Sequence, residues 1–397
     1  MKSFSTFITE ATSDESKLTH LEHAEDHVLN AGDKGFSHAY HNLADVHHQL
    51  TGKKNSTSVS TKYDGSPSIV FGHHPKTGKF FVGSKSVFNK TPKINYTHED
   101  IDKNHGHAPG LAQKLKTALE HLPKSTPKTG VFQGDIMHSG VKSEANPHGD
   151  VEHKGGKYHF KPNVISYSTH AHSDEGQKIT NSKIGVAVHT SYHGDDLSNM
   201  KAKYNANTSH FNSHPDVHVI STEHDMSKAH YPKEAQQKFE HHLNKAVHHF
   251  NTAHPDTFKS AEPHTTHLKT YINSTVKTGK EPSVEGYKDH LKDHFTKQMG
   301  KLKTEKSISK VKSEHDQHAQ HVDKNKEHFH NVLQMHKHLT DAKDVLVKAM
   351  SHSQKFEHHI NGQKAKPEGF VAVRNNRPTK LVDRKEFSRA NFLARSE

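Results

Sequence analysis

The chain has 397 residues, of which 29% are hydrophobic and 45 are histidine, and it carries a formal net charge of +11. It contains no cysteine, which excludes disulfides, thiolate zinc sites and cysteine nucleophiles, and no apolar run approaches the roughly 18 residues of a membrane span. The positive balance suits an anionic partner such as nucleic acid without identifying one.

The first ten residues, MKSFSTFITE, lack the apolar core of a secretory signal. Residues 1–15 read as a leader or flexible start, and 16–57 as a helical segment. Within the latter, THLEHAEDHVLNAG ends in a glycine suited to a helix cap. GFSHAYHNLADVHHQLTG then places Phe36, Tyr40, Leu43, Val46 and Leu50 at three- and four-residue steps. Together they predict a helical hairpin.

From residue 58 the texture changes. The low apolar content raises the question of disorder, but GSPSIVFG, GKFFVGS, TGVFQGD and IGVAVHTSY are compact strand-like runs separated by Gly, Pro and Asn turns. Residues 58–232 therefore form the first part of a β-rich core. A Pro-Lys-Thr-Gly turn joins two of its strands, PGLAQKLKTALEHLP supplies a helix, and residues 139–158 read as a mobile loop. Residues 233–350 return to helical periodicity, with Phe239, Leu243, Ala246 and Phe250 on one face, and Tyr287, Leu291, Phe295 and Met299 on another. Residues 305–323 are polar and read as an exposed connector. Residues 351–397, with KPEGFVAV and TKLVDR, complete the β core around a large helical insertion.

Several residues carry potential chemistry. Lys62 lies two positions before Asp64 and three before Gly65 in KYDG. Alone, this is the pattern of an ordinary turn. A lysine amine attacks phosphorus only when deprotonated, which requires burial, a neighbouring cation or a base. Asp64 is a candidate to orient that lysine or to help hold a metal, and Gly65 lets the chain turn or approach a ligand closely. Lys85 in GSK, Asp135 in VFQGD, Glu368 in PEGFVAV and Lys380 in TKLVDR follow in order, each on or just after a strand-like run. Singly, Glu368 reads equally as a surface turn and Lys380 as a solvated lysine. With 45 histidines, close pairs arise by chance. No His-Glu-x-x-His motif occurs, so no dedicated zinc site is expected. His73 and His74 read as exposed turn histidines.

Taken together, KYDG, GSK, VFQGD, PEGFVAV and TKLVDR resemble the motifs of the covalent nucleotidyltransferase superfamily of RNA ligases, DNA ligases and mRNA capping enzymes. The resemblance spans about residues 59–392 apart from the helical insertion. It implies an α+β fold: a ligase adenylation core of antiparallel sheets, ATP-grasp-like, with the N-terminal helical hairpin and the insertion added to it. It implies Lys62 as the nucleophile that forms a lysyl-nucleotide, with Asp64 and Lys380 in the catalytic set. Gly65, Lys85, Asp135, Glu368 and Lys380 would contact ATP, and Asp135 and Glu368 would hold Mg2+ or Mn2+. Tyr192, His189 and Phe132 are candidates to pack on the base. Two departures stand out. Lys85 replaces the family's arginine and loses its planar fork, and Val382 stands where a second lysine is usual. Little chain follows Lys380, which disfavours the C-terminal OB-fold of capping enzymes and most DNA ligases. An RNA ligase joining 5'-phosphate and 3'-hydroxyl ends is therefore expected ahead of a DNA nick-sealing ligase. A catalytically degenerate nucleic-acid-binding or virion-associated protein is the third reading. The opening decapeptide is similar to the start of some tailed-phage proteins, which implies cleavage after Ile8-Thr9-Glu10. The expected setting is the host cell cytoplasm or a phage virion, and the expected state is a monomer.

Overall fold

The computed structural model describes residues 21–384. The opening decapeptide and its Ile8-Thr9-Glu10 sequence lie outside the described residues, as does the chain after Arg384. Strand β1 (Glu22–His23) leads through a 3-10 turn at Ala24–Asp26 into helix α1 (His27–Leu50). Phe36, Ala39, Leu43 and Val46 form its buried stripe, at the spacing of a helix packed on one side. Ala31 and Gly32 leave helical dihedrals, and Gly32 has φ of 54°. A Cβ on Gly32 would meet Phe258 at 3.0 Å, so both conformation and packing call for glycine. The expected helical hairpin is thus corrected to a strand, a turn and one kinked helix. The reason is buried charge: Glu25 and Asp26, which a solvated first helix would expose, are buried against cations from elsewhere in the chain.

The β-rich region begins with β2 (Ser58–Lys62), β3 (Ser68–His73) and β4 (Phe80–Gly83). The expected turn joins the last two, with Gly78 at φ of 67° donating its N–H to His74 O at 2.8 Å. Helix α2 (His98–His105) carries little apolar periodicity and starts on a reciprocal cap between Thr97 and Asp100. Helix α3 (Pro109–His121) follows, then β5 (Val131–His138), β6 (Glu152–Lys154), β7 (Lys157–Phe160), β8 (Ser166–His170), α4 (Asp174–Asn181), β9 (Ile184–His193), β10 (Lys201–Tyr204) and β11 (Val217–Ser221). The mobile loop expected over 139–158 is corrected at its far end. There β6 and β7 pair, and Tyr158 and Phe160 point inward.

Six helices occupy the expected insertion: α5 (Lys233–Thr252), α6 (Thr257–Ala261), α7 (Thr265–Thr278), α8 (Val284–Met299), α9 (Glu305–Lys324) and α10 (Lys326–Met350). The connector expected over 305–323 is therefore corrected to α9, which buries Val311 and Val322 and leaves most of its surface polar. The chain continues through β12 (Glu357–Ile360), β13 (Gln363–Ala365), β14 (Gly369–Arg374) and β15 (Arg377–Val382). No described helix is long and apolar enough to cross a membrane.

The strands form an α+β fold of three sheets. One has the order β1-β15-β14-β2, with β1 parallel to β15 and the remaining pairs antiparallel. A second runs β10-β9-β5-β3-β4 with β11 parallel to β9, and the third runs β13-β12-β8-β7-β6. Side-chain alternation divides the first sheet. Phe370, Ala372 and Leu381 enter the apolar core shared with α1 and the inserted helices. Lys62, Val371 and Lys380 occupy the other face by register.

A buried ionic cluster locks this arrangement. Lys343 Nζ on α10 lies 2.8 Å from Glu25 Oε1, with both side chains fully buried. Asp26 Oδ1 lies 3.0 Å from both Arg384 Nη1 and His336 Nε2. Removing one member of such a pair typically costs about 3–5 kcal/mol, because the other charge is left buried without a partner.

Buried histidines set the acid limit. Burial is the chief cause that pushes His38 down to about 2, His264 down to about 3, and His224 and His358 down to about 4. In the unfolded chain these rings bind protons below about pH 6.5, while the folded chain resists them. The unfolded state thus takes up more protons in that window, and stability held above about pH 6.5 is lost as pH falls toward the folded values. Urea melts should show the midpoint dropping steeply between pH 7 and pH 5, with up to about 1.4 kcal/mol per pH unit from each such ring. A flat midpoint over that range would contradict this assignment.

Candidate active site

Lys62 is the last residue of β2 and lies opposite Gly369, which in turn lies opposite Val382. This register brings Glu368, just before β14, beside the lysine, with Nζ and Oε1 2.6 Å apart. Gly369 has φ of 152°, and a Cβ there would sit 2.3 Å from Leu381 O, so the residue after Glu368 cannot carry a side chain without moving β15. Two positions back along β2, Ser60 lies opposite Val371 and Val371 opposite Lys380. Lys380 thereby joins Lys62 on one face of the sheet.

Asp135 comes from the second sheet, on β5, opposite Ser68 and Ala187. The chain leaving Lys62 runs tightly across this strand. Ser66 N–H donates to Ile136 O at 2.9 Å, and a Cβ on Gly65 would lie 2.5 Å from Asp135 Cβ. Gly65 is therefore a close-approach glycine. Asp64 is occupied elsewhere: its carboxylate accepts from Asn163 Nδ2 at 2.8 Å and from the N–H groups of Val164 and Ile165 at 2.9 Å. Its own N–H donates to Tyr167 Oη at 2.7 Å. Asp64 thus pins the turn after Lys62 to the segment before β8, and its action on the lysine is through space.

Between the two sheets lies a cavity of about 220 Å³ whose lining includes Lys62, Lys85, Asp135, His189, Tyr192 and Val371. Lys85 opens a 3-10 turn after β4 and is exposed. His189 Nε2 is 3.6 Å from Asp135 Oδ1. Tyr192 donates its hydroxyl to Gln133 Oε1 and lies against Phe88. Phe132 packs away from the cavity with Phe71 and Phe211, and His73, expected in an exposed turn, is instead the half-buried last residue of β3 and hydrogen-bonds Pro127 O at 3.0 Å. Sequence reasoning passed over the polar lining residues Gln133, Asn205 and Thr222. Gln133 was detectable, because it lies two positions before Asp135 and alternation puts both on one face.

These charges act on one another. Burial works to lower the Lys62 pKa, but Glu368, Asp135 and Asp64 outweigh it and hold the ammonium above its ordinary value. Burial raises the Glu368 carboxyl against the opposing pull of Lys62. Burial and the Lys62 charge push Lys380 down. For Asp135 burial acts upward, and His189, Ser68 and Lys62 prevail, leaving it lowered. Glu368 Oε2 is buried without a hydrogen-bond partner. That orphaned oxygen fits a hard divalent cation, which prefers carboxylate ligands.

Residues 18–396 match DUF6267, described as a family of unknown function. The chain belongs to this family. No curated protein and no solved structure matches it. Within this DUF6267 chain, the geometry brings Lys62, Asp135 and Lys85 to the lining of one cleft, holds Glu368 behind it against Lys62, places Lys380 on the same sheet face as Lys62, and assigns Asp64 to the turn.

The ion pair makes a direct expectation. Glu368→Gln removes the main influence that raises the Lys62 pKa, so burial should then lower it. Lys62 should react faster with an amine-directed acylating reagent near pH 8, read by peptide mass spectrometry against the other lysines. Unchanged Lys62 reactivity would show that Glu368 does not control its proton.

Proposed function

We propose that this cleft is the nucleotide-transfer site of an ATP-dependent polynucleotide ligase, with RNA favoured over DNA as substrate. The observation that carries the reading is the Lys62–Glu368 pair: a strand-end lysine at the cleft, 2.6 Å from a carboxylate whose second oxygen is buried and unpartnered. The motif resemblance supplies the reaction class, and the geometry supports it by bringing together residues far apart in sequence.

In this reading the Lys62 amine gives up its proton and attacks the α-phosphorus of ATP. A nitrogen–phosphorus bond forms, and the bond to the pyrophosphate oxygen breaks. A 5'-phosphate oxygen then displaces Lys62 from the nucleotide, and a 3'-hydroxyl displaces AMP to close the strand. Lys85 and Lys380 offset phosphate charge. Asp135 and His189 offer hydrogen bonds to the ribose, and Tyr192 borders the base. Glu368 would hold Mg2+ or Mn2+, with Asp135 the second candidate, and the bound ion would offset charge on the phosphates. Engaging Glu368 in that way also removes the partner that keeps Lys62 protonated, so the nucleophile would be released when the site is loaded. The degenerate, nucleic-acid-binding reading has one observation in its favour. Val382, where a second lysine is usual, is buried, so phosphate contact there is thin.

Incubation of the full chain with α-labelled ATP or GTP and Mg2+ or Mn2+ should give a protein-bound label that survives alkali and is lost in acid, as a phosphoramidate is. Lys62→Ala should reduce it to background. Glu368→Ala should slow labelling by at least roughly 10–100-fold, the loss seen when even a supporting partner of a metal ligand is removed. Nicked RNA, nicked DNA and single-stranded ends would then rank the acceptors. Absence of label from the wild type with either nucleotide would sink the enzyme reading in favour of the degenerate one, and label persisting in Lys62→Ala would sink the nucleophile.

A further inference from the structure

Away from the cleft, α5 and α10 bring three potential ligands together. His242 Nδ1 on α5 lies 3.3 Å from His338 Nδ1 on α10 and 3.7 Å from Asp341 Oδ2, one turn further along α10. All three side chains are half-buried, and their ligand atoms lie within 4.8 Å of one another. Among the described residues this is the only group of three or more such ligands so close together. We propose that His242, His338 and Asp341 form a site for a late first-row divalent cation, with Zn2+ the reference ion, that bridges the two helices.

The spacing carries the argument. Two imidazole nitrogens bound at about 2.0–2.1 Å to one tetrahedral ion stand about 3.3–3.4 Å apart, which is the separation present. Two imidazoles and one carboxylate favour Zn2+, Co2+, Ni2+ or Cu2+ over Mg2+ or Ca2+, which prefer all-oxygen sets. The neighbours shape the site further. His249 stacks on the His338 ring at 5.9 Å and is itself held by Asn331 Oδ1 at 3.1 Å. Lys337 Nζ donates to Asp341 Oδ2 at 2.8 Å, so it competes with the ion for that oxygen. A tetrahedral ion held by these three residues would complete its shell with one further ligand, such as water. Filling the site would clamp α5 to α10, the helix that also carries Lys343.

The test is Zn2+ equilibrium dialysis of the full chain, with Co2+ absorption as the reporter of a four-coordinate site. One ion per chain should bind ahead of the general histidine background. His242→Ala, His338→Ala and Asp341→Asn should each weaken it by about 10–100-fold or more, while exposed His107→Ala leaves it unchanged. Lys337→Met should tighten binding, an effect that damage to the fold would not produce. Superimposable zinc titrations for the wild type, the three ligand variants and Lys337→Met would overturn the proposal.

Discussion

One contact, Lys62 Nζ to Glu368 Oε1, closes the gap between residues 306 apart in sequence. A lysine and a glutamate placed this deep each need the other, since either alone would be a poorly solvated charge. The pairing of β2 with β14 sets up the contact, because Gly369 lies opposite Lys62 and so brings Glu368, the residue before it, beside the lysine. The helical insertion lies between these two strands in sequence, yet packs behind their sheet. The insertion can therefore be long without disturbing the cleft.

The first sheet works because its two faces differ. Phe370, Ala372 and Leu381 anchor it to the helices, while Lys62, Val371 and Lys380 are left for the opposite side. The β1–β15 side of the sheet is held by buried charge. β1 pairs beside Lys380, with His23 opposite it, and the residues that follow β1 meet Lys343 on α10 and Arg384 just after β15. The chemical face of the sheet is thereby braced from behind by ion pairs and apolar packing. From the front, Gly65 allows the second sheet to bring Asp135 close. Proton control follows from this packing: the Glu368 carboxylate is the main influence that holds the Lys62 ammonium above its ordinary pKa.

Much of this was legible in the sequence. Runs such as SIVFG, VFQGD and GFVAV have the composition of buried strands, and they form β3, β5 and β14. Candidate site residues at the ends of such runs converge because strands register with one another. Long-range polar partners were not legible. Asp64 reads as a site carboxylate until the N–H groups of Val164 and Ile165 are seen to occupy it. Nothing in the spacing of Glu25 and Asp26 pointed to their counterions, Lys343 on α10 and Arg384. The polarity of α9 hid a helix that needs only Val311 and Val322 to dock. Histidine spacing along the chain said nothing of His242 and His338, which meet across 96 residues.

The central claim is that Lys62 is the residue that becomes covalently bound to a nucleotide. It is tested most directly by digesting the wild-type chain after incubation with ATP and Mg2+ or Mn2+ and locating the modified residue by mass spectrometry under non-acidic conditions. The account predicts the mass of one nucleoside monophosphate on Lys62 and on no other lysine. Modification at Lys85, Lys380 or a surface lysine, with Lys62 unmodified, would contradict it.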